Sequence, residues 1–309
     1  MTPIRIRLLW HKQAQFAGYL LAEELGLARS KGVEIRCEGL DFSCKHVASI
    51  LTGVSEMAVA SPAHILESAA PERLRWLMTV QQVSPLVYPA RRSSGVNVLA
   101  DLAGKSVGVW PGGEDLEFRW LLAGAGVAPG AVARVQMPDT VGPFLRGEIA
   151  SGQMTSYHEL HQVEAEVPPD DLVVFSGRDT GRSVLKDGLV ADAALVAEKP
   201  EAVQAVVDAV LEGWTIAFDD PDRAIAACLR ARPDVSREEH ARQLADIRAL
   251  SLTGATLAEG LGCPDLAHVA AAARAIREVE GHDPATESVL DDRFWKAAPA
   301  AFRRRGWAV

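Results

Sequence analysis

Apolar and polar residues alternate along Ile4-Arg-Ile-Arg-Leu-Leu-Trp10, and from Phe16 the spacing turns helical. A period of two predicts a strand, and apolar positions three and four apart predict a helix. The same change of period recurs downstream. The pattern predicts a helix over Phe16–Arg29, a strand over Val33–Cys37, a helix over Lys45–Thr52 and a short buried strand over Met57–Ala60. Ser61-Pro-Ala-His64 opens the next helix, with Pro62 just inside it where a missing N–H costs nothing. Leu74–Val80 reads as a further strand. A βαβαβ order implies a parallel sheet.

Leu86–Arg92 is extended and runs into the polar stretch Arg91-Arg-Ser-Ser-Gly95, which reads as a crossing into a second lobe. That lobe is expected to hold a strand over Ser106–Trp110, a turn over Pro111–Asp115 and a helix over Leu116–Ala125. Further strands are expected at Arg134–Met137, Ile149–Thr155 and Leu172–Phe175. The chain recrosses near Leu185–Val190, and beyond Pro200 it reads as helices over 201–218, 221–230, 237–249 and 266–280. The expected architecture is an α/β, two-lobed fold of the type II periplasmic-binding-protein kind. It would have two parallel-rich sheets, two hinge crossings and a helical C-terminal region. Residues 1–90 plus 188–309 form one discontinuous lobe and 91–187 the other, with a ligand cleft between them that closure would bury.

Composition narrows the function. The chain has 309 residues and a net charge of -9, which speaks against a nucleic-acid partner. Cys37, Cys44, Cys228 and Cys263 show neither CxxC nor zinc-ligand spacing and are expected to be unpaired. No apolar run reaches 18 residues, so no direct membrane insertion is expected. Met1-Thr-Pro leads into the first strand without a basic n-region or apolar h-region. As written this reads as cytoplasmic; a missing export signal would make it periplasmic or membrane-tethered. The chain contains no HExxH, P-loop or GxGxxG string and no Ser-His-Asp order. No catalytic residue, metal or cofactor is expected.

Strands that end in loops opening a helix place side chains and free N–H groups at the carboxyl edge of a sheet, where open α/β proteins bind ligands. The first such loop delivers Trp10, Gln13 and Gln15. Trp10 is either a flat stacking face or a core residue. The two glutamines can donate and accept toward a heteroaromatic edge, one of them being expected to face solvent. Tyr19, one turn beyond Gln15, is a contact or packing, and His11 is read as an exposed loop histidine. Ser61 caps its helix or touches ligand, with His64 beside it. Trp110, Gly112 and Gly113 form a tight turn whose N–H groups could hold an anion or carbonyl. Thr155, Tyr157 and Glu159 follow a strand, and Asp187 at the return crossing pairs with a ligand amine or with Arg182.

Four strings resemble one family in order and spacing: Trp10 with Gln13-Ala-Gln-Phe-Ala-Gly-Tyr19; Gly53 through Ala58-Val-Ala-Ser-Pro-Ala-His64; Leu102-Ala-Gly-Lys-Ser-Val-Gly-Val-Trp110-Pro-Gly-Gly113; and Met154-Thr-Ser-Tyr-His-Glu159. The chain is thereby similar to the substrate-binding proteins of the nitrate, taurine and thiamine-pyrimidine type, which include the fungal thiamine-pyrimidine synthases. The resemblance implies capture of a small heteroaromatic nutrient, a thiamine-related pyrimidine precursor, for ABC import, with an ABC permease as partner. The alternative it implies is a cytoplasmic enzyme of thiamine-pyrimidine formation or another small-aromatic transformation. The synthase consumes a histidine, matched by His64, and uses a lysine four residues earlier that carries pyridoxal phosphate. That position is Ala60 here, so no Schiff base can form there. The synthase's cysteine-rich loop is also absent, since Arg182–Val190 holds no cysteine. Lys45 is read as a solvated lysine.

Overall fold

A computed structural model of the chain describes residues 1–112 and 114–304. These residues divide into two compact units. One joins Met1–Val83 and Leu185–Ala270 with the chain from Ala285 onward; the other joins Ser84–Val184 with Ala271–Pro284.

The first unit is built on a five-stranded sheet in the order Val33–Glu38, Thr2–Arg7, Met57–Val59, Leu189–Asp192, Leu74–Met78. The first three strands run parallel, in a register that pairs Ile4 with Ile35 and Ile6 with both Cys37 and Met57. Ile4 and Ile6 are fully buried, which is the alternation visible in the sequence. Leu189–Asp192 enters antiparallel between Met57–Val59 and Leu74–Met78, so the sheet is mixed.

The first helix, Ala17–Glu24, ends five residues before the expected Arg29, because Gly26 turns left-handed at φ +63° and stops it. It lies against the long helix Pro200–Asp219 at two glycines. A Cβ on Gly213 would stand 2.1 Å from the Gly18 carbonyl oxygen, and one on Gly18 would stand 2.3 Å from the Trp214 ring. Any side chain here would force the helices apart.

The second unit has a six-stranded sheet. Leu172–Ser176, Leu86–Arg91, Ser151–Gly152, Ser106–Val109 and Ala133–Gln136 follow one another, and Met154–Thr155 also pairs with Leu86–Arg91. Leu86–Arg91, read from the sequence as a crossing, is a paired strand antiparallel to Leu172–Ser176. Leu86, Tyr88 and Ala90 enter one apolar cluster and Val87 enters another. A strand buried on both faces shows no alternation, which is why this one read as a connector. The single strand expected over Ile149–Thr155 is split at Gln153, whose amide turns inward to other work. Short helices at Val141–Leu145, Glu159–Glu166 and Ala193–Glu198 escaped the periodicity. The C-terminal helices Pro200–Asp219, Pro221–Ala231, Arg237–Ser251 and Leu266–Glu280 stand where expected. No described helix is long and apolar enough to cross a membrane.

Candidate functional site

Topology concentrates chemistry at one edge of the first sheet. The carboxyl ends of Thr2–Arg7, Met57–Val59 and Leu74–Met78 lead into Trp10–Gln15, Ser61–His64 and Thr79–Gln82. The antiparallel strand Leu189–Asp192 starts at that same edge, so Lys186 and Asp187 arrive there immediately before it.

Asp187 is the centre of a buried polar array. Its Oδ2 accepts from Gln81 Nε2 at 2.9 Å and its Oδ1 from the Gly188 N–H at 2.8 Å. The Gln15 side chain donates to it as well, and Gln13 Nε2 donates to Gln15 Oε1 at 3.3 Å. The Thr79 hydroxyl donates to the Asp187 carbonyl at 2.8 Å and fixes the backbone. Burial pushes the carboxyl up to about 7, although its three neutral donors pull it down. Gly188 is required here: its φ is +153°, and a Cβ would stand 2.2 Å from Trp76 Nε1. Gln13 and Gln15 are both buried, so the expectation that one of them faces solvent is not met; Gln13 donates to Gln15, and Gln15 donates to the acid.

A second array adjoins the helix Pro62–Leu66. His64 Nδ1 accepts from the Ser61 N–H at 3.0 Å and lies 3.2 Å from the Ser61 hydroxyl. The imidazole thus caps the helix, in the role a Glu or Gln takes in a capping box. Lys186 Nζ stands 3.3 Å from His64 Nε2. The His46 ring lies 4.3 Å from that of His64, tilted by 32°. Ser61, His64, His46 and Lys186 are all buried.

The aromatic candidates divide. Trp10 is half-buried, edge-on to exposed Phe42 with ring centroids 6.0 Å apart. Tyr19 is buried, T-shaped against Trp214 and Phe16, and burial beside Asp187 lifts its hydroxyl well above the usual range. His11 is exposed, as expected. Lys45 sits over the Phe42 ring at 5.7 Å.

In the second unit the predicted residues are held by local bonds. Thr155 donates to Glu159 Oε2 through its N–H at 2.9 Å and its hydroxyl at 2.5 Å. Tyr157 is buried. The half-buried Trp110 packs on the apolar cluster of that unit, and its N–H donates to Gln153 Oε1 at 3.2 Å. Gln153 Nε2 in turn donates to the Glu114 carbonyl at 2.7 Å, bracing the turn. Gly112 has a left-handed φ of +85°, and Gly113 lies outside the described residues. Arg182, offered as a partner of Asp187, instead meets Glu278 at 3.4 Å, while Asp187 is bound to amides.

Lys186, Gln81 and His46 were missed in the sequence. A lysine and an aspartate side by side within the apolar run Val184-Leu-Lys-Asp-Gly-Leu-Val190 were the available signal, because charges in such a run must find partners. All four cysteines are free. Burial pushes the Cys37 thiol far up, Cys228 up to about 12 and Cys263 up to about 11, so none of these three is an activated nucleophile.

Residues 13–224 match the model of the family described as NMT1/THI5 like. The chain belongs to the NMT1/THI5-like family. Solved structures share its fold along nearly the whole chain. The ligand-binding component of an ABC-type import system from Staphylococcus aureus, solved with zinc bound, is 11% identical with a TM-score of 0.71, covering 97% of this chain and 99% of that one. The periplasmic aliphatic sulphonate binding protein SsuA from Escherichia coli is 16% identical with a TM-score of 0.63, over 82% of this chain and 85% of that one. The desulfurization enzyme DSZB is 16% identical with a TM-score of 0.61, over 95% and 98%. No curated protein matches the sequence. The family member described here thus has a type II periplasmic-binding-protein fold, one that serves carriers and an enzyme alike.

Proposed function

We propose that this family member is a solute-binding protein that captures a small heteroaromatic nutrient for ABC import, with a thiamine-related pyrimidine as ligand class and an ABC permease as partner. The observation that carries this reading is the Gln15–Asp187–Gln81 array. Amides and a carboxyl that titrates near neutrality offer both donors and acceptors, which is what the edge of an aminopyrimidine presents. Trp10 would supply a stacking face, and Ser61 and His64 further polar contacts. Trp110, Gly112, Gly113, Thr155 and Tyr157 are the corresponding contacts proposed for the second unit. Glu159, with one oxygen on Thr155, is assigned the orientation of that residue.

Native mass spectrometry followed by calorimetric titration with aminopyrimidines, thiamine and flavin precursors tests the reading. The expected result is a one-to-one complex of micromolar or tighter affinity, about -8 kcal/mol or better, weakened about tenfold or more by Asp187→Ala. A flat titration across the whole panel overturns the ligand class.

A further inference from the structure

We infer that Gln81 is the residue of the array that selects the ligand: Asp187 holds the amide by its nitrogen, and Oε1 is left to accept a hydrogen bond from an exocyclic amine of the bound pyrimidine. The inference rests on the reading that this sheet edge takes an aminopyrimidine, and it deepens that reading by naming the ligand group that must be an N–H donor.

Gln81 is 2% exposed, and among the described residues no donor reaches its Oε1. A buried carbonyl oxygen without a donor is costly, and folded chains rarely keep one without a use for it. The amide cannot relieve the cost by turning over. Its Nε2 donates to Asp187 Oδ2 at 2.9 Å, and a turned amide would set Oε1 against that oxygen, acceptor against acceptor. The carboxylate is itself held in place, because its Oδ1 accepts from the Gly188 N–H at 2.8 Å and the Gln15 side chain donates to it as well. The Thr79 hydroxyl lies 3.0 Å from the Gln81 carbonyl and 2.8 Å from the Asp187 carbonyl, so one side chain pins both backbones. Gln82 Oε1 also lacks a donor, but Gln82 Nε2 is committed to the Thr79 and Cys263 carbonyls at 3.2 and 3.0 Å. That residue braces the loop and takes no part in holding the acid.

An acceptor fixed in this way separates ligands of one shape by a single group. A 4-amino substituent offers an N–H to Oε1. A 4-methyl substituent of nearly the same size offers none and leaves the oxygen buried and unpaired. Rejection then comes from a bond that the protein cannot make with any other partner.

Calorimetric titration of the whole chain with 4-aminopyrimidine and with 4-methylpyrimidine at about pH 8 tests this. That pH lies above the value of about 7 to which burial raises Asp187, so the carboxylate is an acceptor only. Wild type is expected to prefer the amine about tenfold or more. Gln81→Met, which keeps the length and removes the amide, should bring the two affinities within about threefold, through weaker binding of the amine. A wild-type preference below about threefold overturns the inference, as does a preference that survives Gln81→Met. If Gln81→Met does not fold, a crystal structure of the wild type with 4-aminopyrimidine decides. The exocyclic nitrogen is expected about 3 Å from Gln81 Oε1, and an oxygen met by water or by no ligand atom overturns the inference. Equal binding of the two pyrimidines removes this inference and leaves the parent reading standing; binding of neither removes both.

Discussion

The two units hold their candidate residues by different means. In the first, partners come from far along the chain: Gln81 and Asp187 are 106 residues apart, and His64 and Lys186 are 122 apart. In the second, Thr155 and Glu159 are separated by 4, and the bond joins a helix's first residue to the strand before it. A local bond forms wherever its helix forms, and it contributes as a cap does. A long-range bond between buried groups exists only when the tertiary fold is complete, and each end is left desolvated without the other. The first array is therefore the more costly one to disturb.

The sharpest way to break this contrast is pH. Asp187 has an ordinary value of 3.8 and is raised to about 7 in the fold. Between those values the folded chain keeps a proton that the unfolded chain has released, so the contribution is full below about pH 4 and is lost as pH rises to about 7. The slope is roughly 1.4 kcal/mol per pH unit, or about 4 kcal/mol in all. Urea unfolding of wild type against Asp187→Asn from pH 4 to 8 should show a stability difference that falls across that window and then levels. A flat difference places the carboxyl in a polar setting and dissolves the contrast.

Next in size is Gln81→Leu, which leaves Asp187 Oδ2 without its amide and should cost about 2 kcal/mol at neutral pH. A loss below about 0.5 kcal/mol would mean that the array is not built as described. Smallest is Glu159→Ala, expected to cost about 1 kcal/mol as the loss of a helix-end bond. If Glu159→Ala costs more than Gln81→Leu in the same denaturant series, the ranking of the two units is inverted.

The same contrast explains what could be read in advance. The first strand, its loop and the helix at Ala17 follow from periods of two and 3.6, and the Ser61-Pro-Ala-His64 start is a local signal. Leu86–Arg91 was lost because both its faces are buried, and Gln81 and Lys186 because their partners lie beyond any local window. Gln13 and Gln15 are legible as polar tips, but the acid that Gln15 donates to, Asp187, lies far along the chain. Gly18, legible only as part of a string, proves to be the close approach of two helices.

The order of strands also bears on how the chain is made. The sheet of the second unit draws on one unbroken stretch and has every strand in hand by Ser176. The sheet of the first cannot close until Leu189 reaches Val59, 130 positions upstream. On a ribosome delivering the chain from its amino end, Met57–Val59 waits with an unpaired edge while the whole of the other sheet is synthesised. The last-arriving strand is the one that brings Lys186 and Asp187, so the candidate site is assembled only in a chain that has passed that closure.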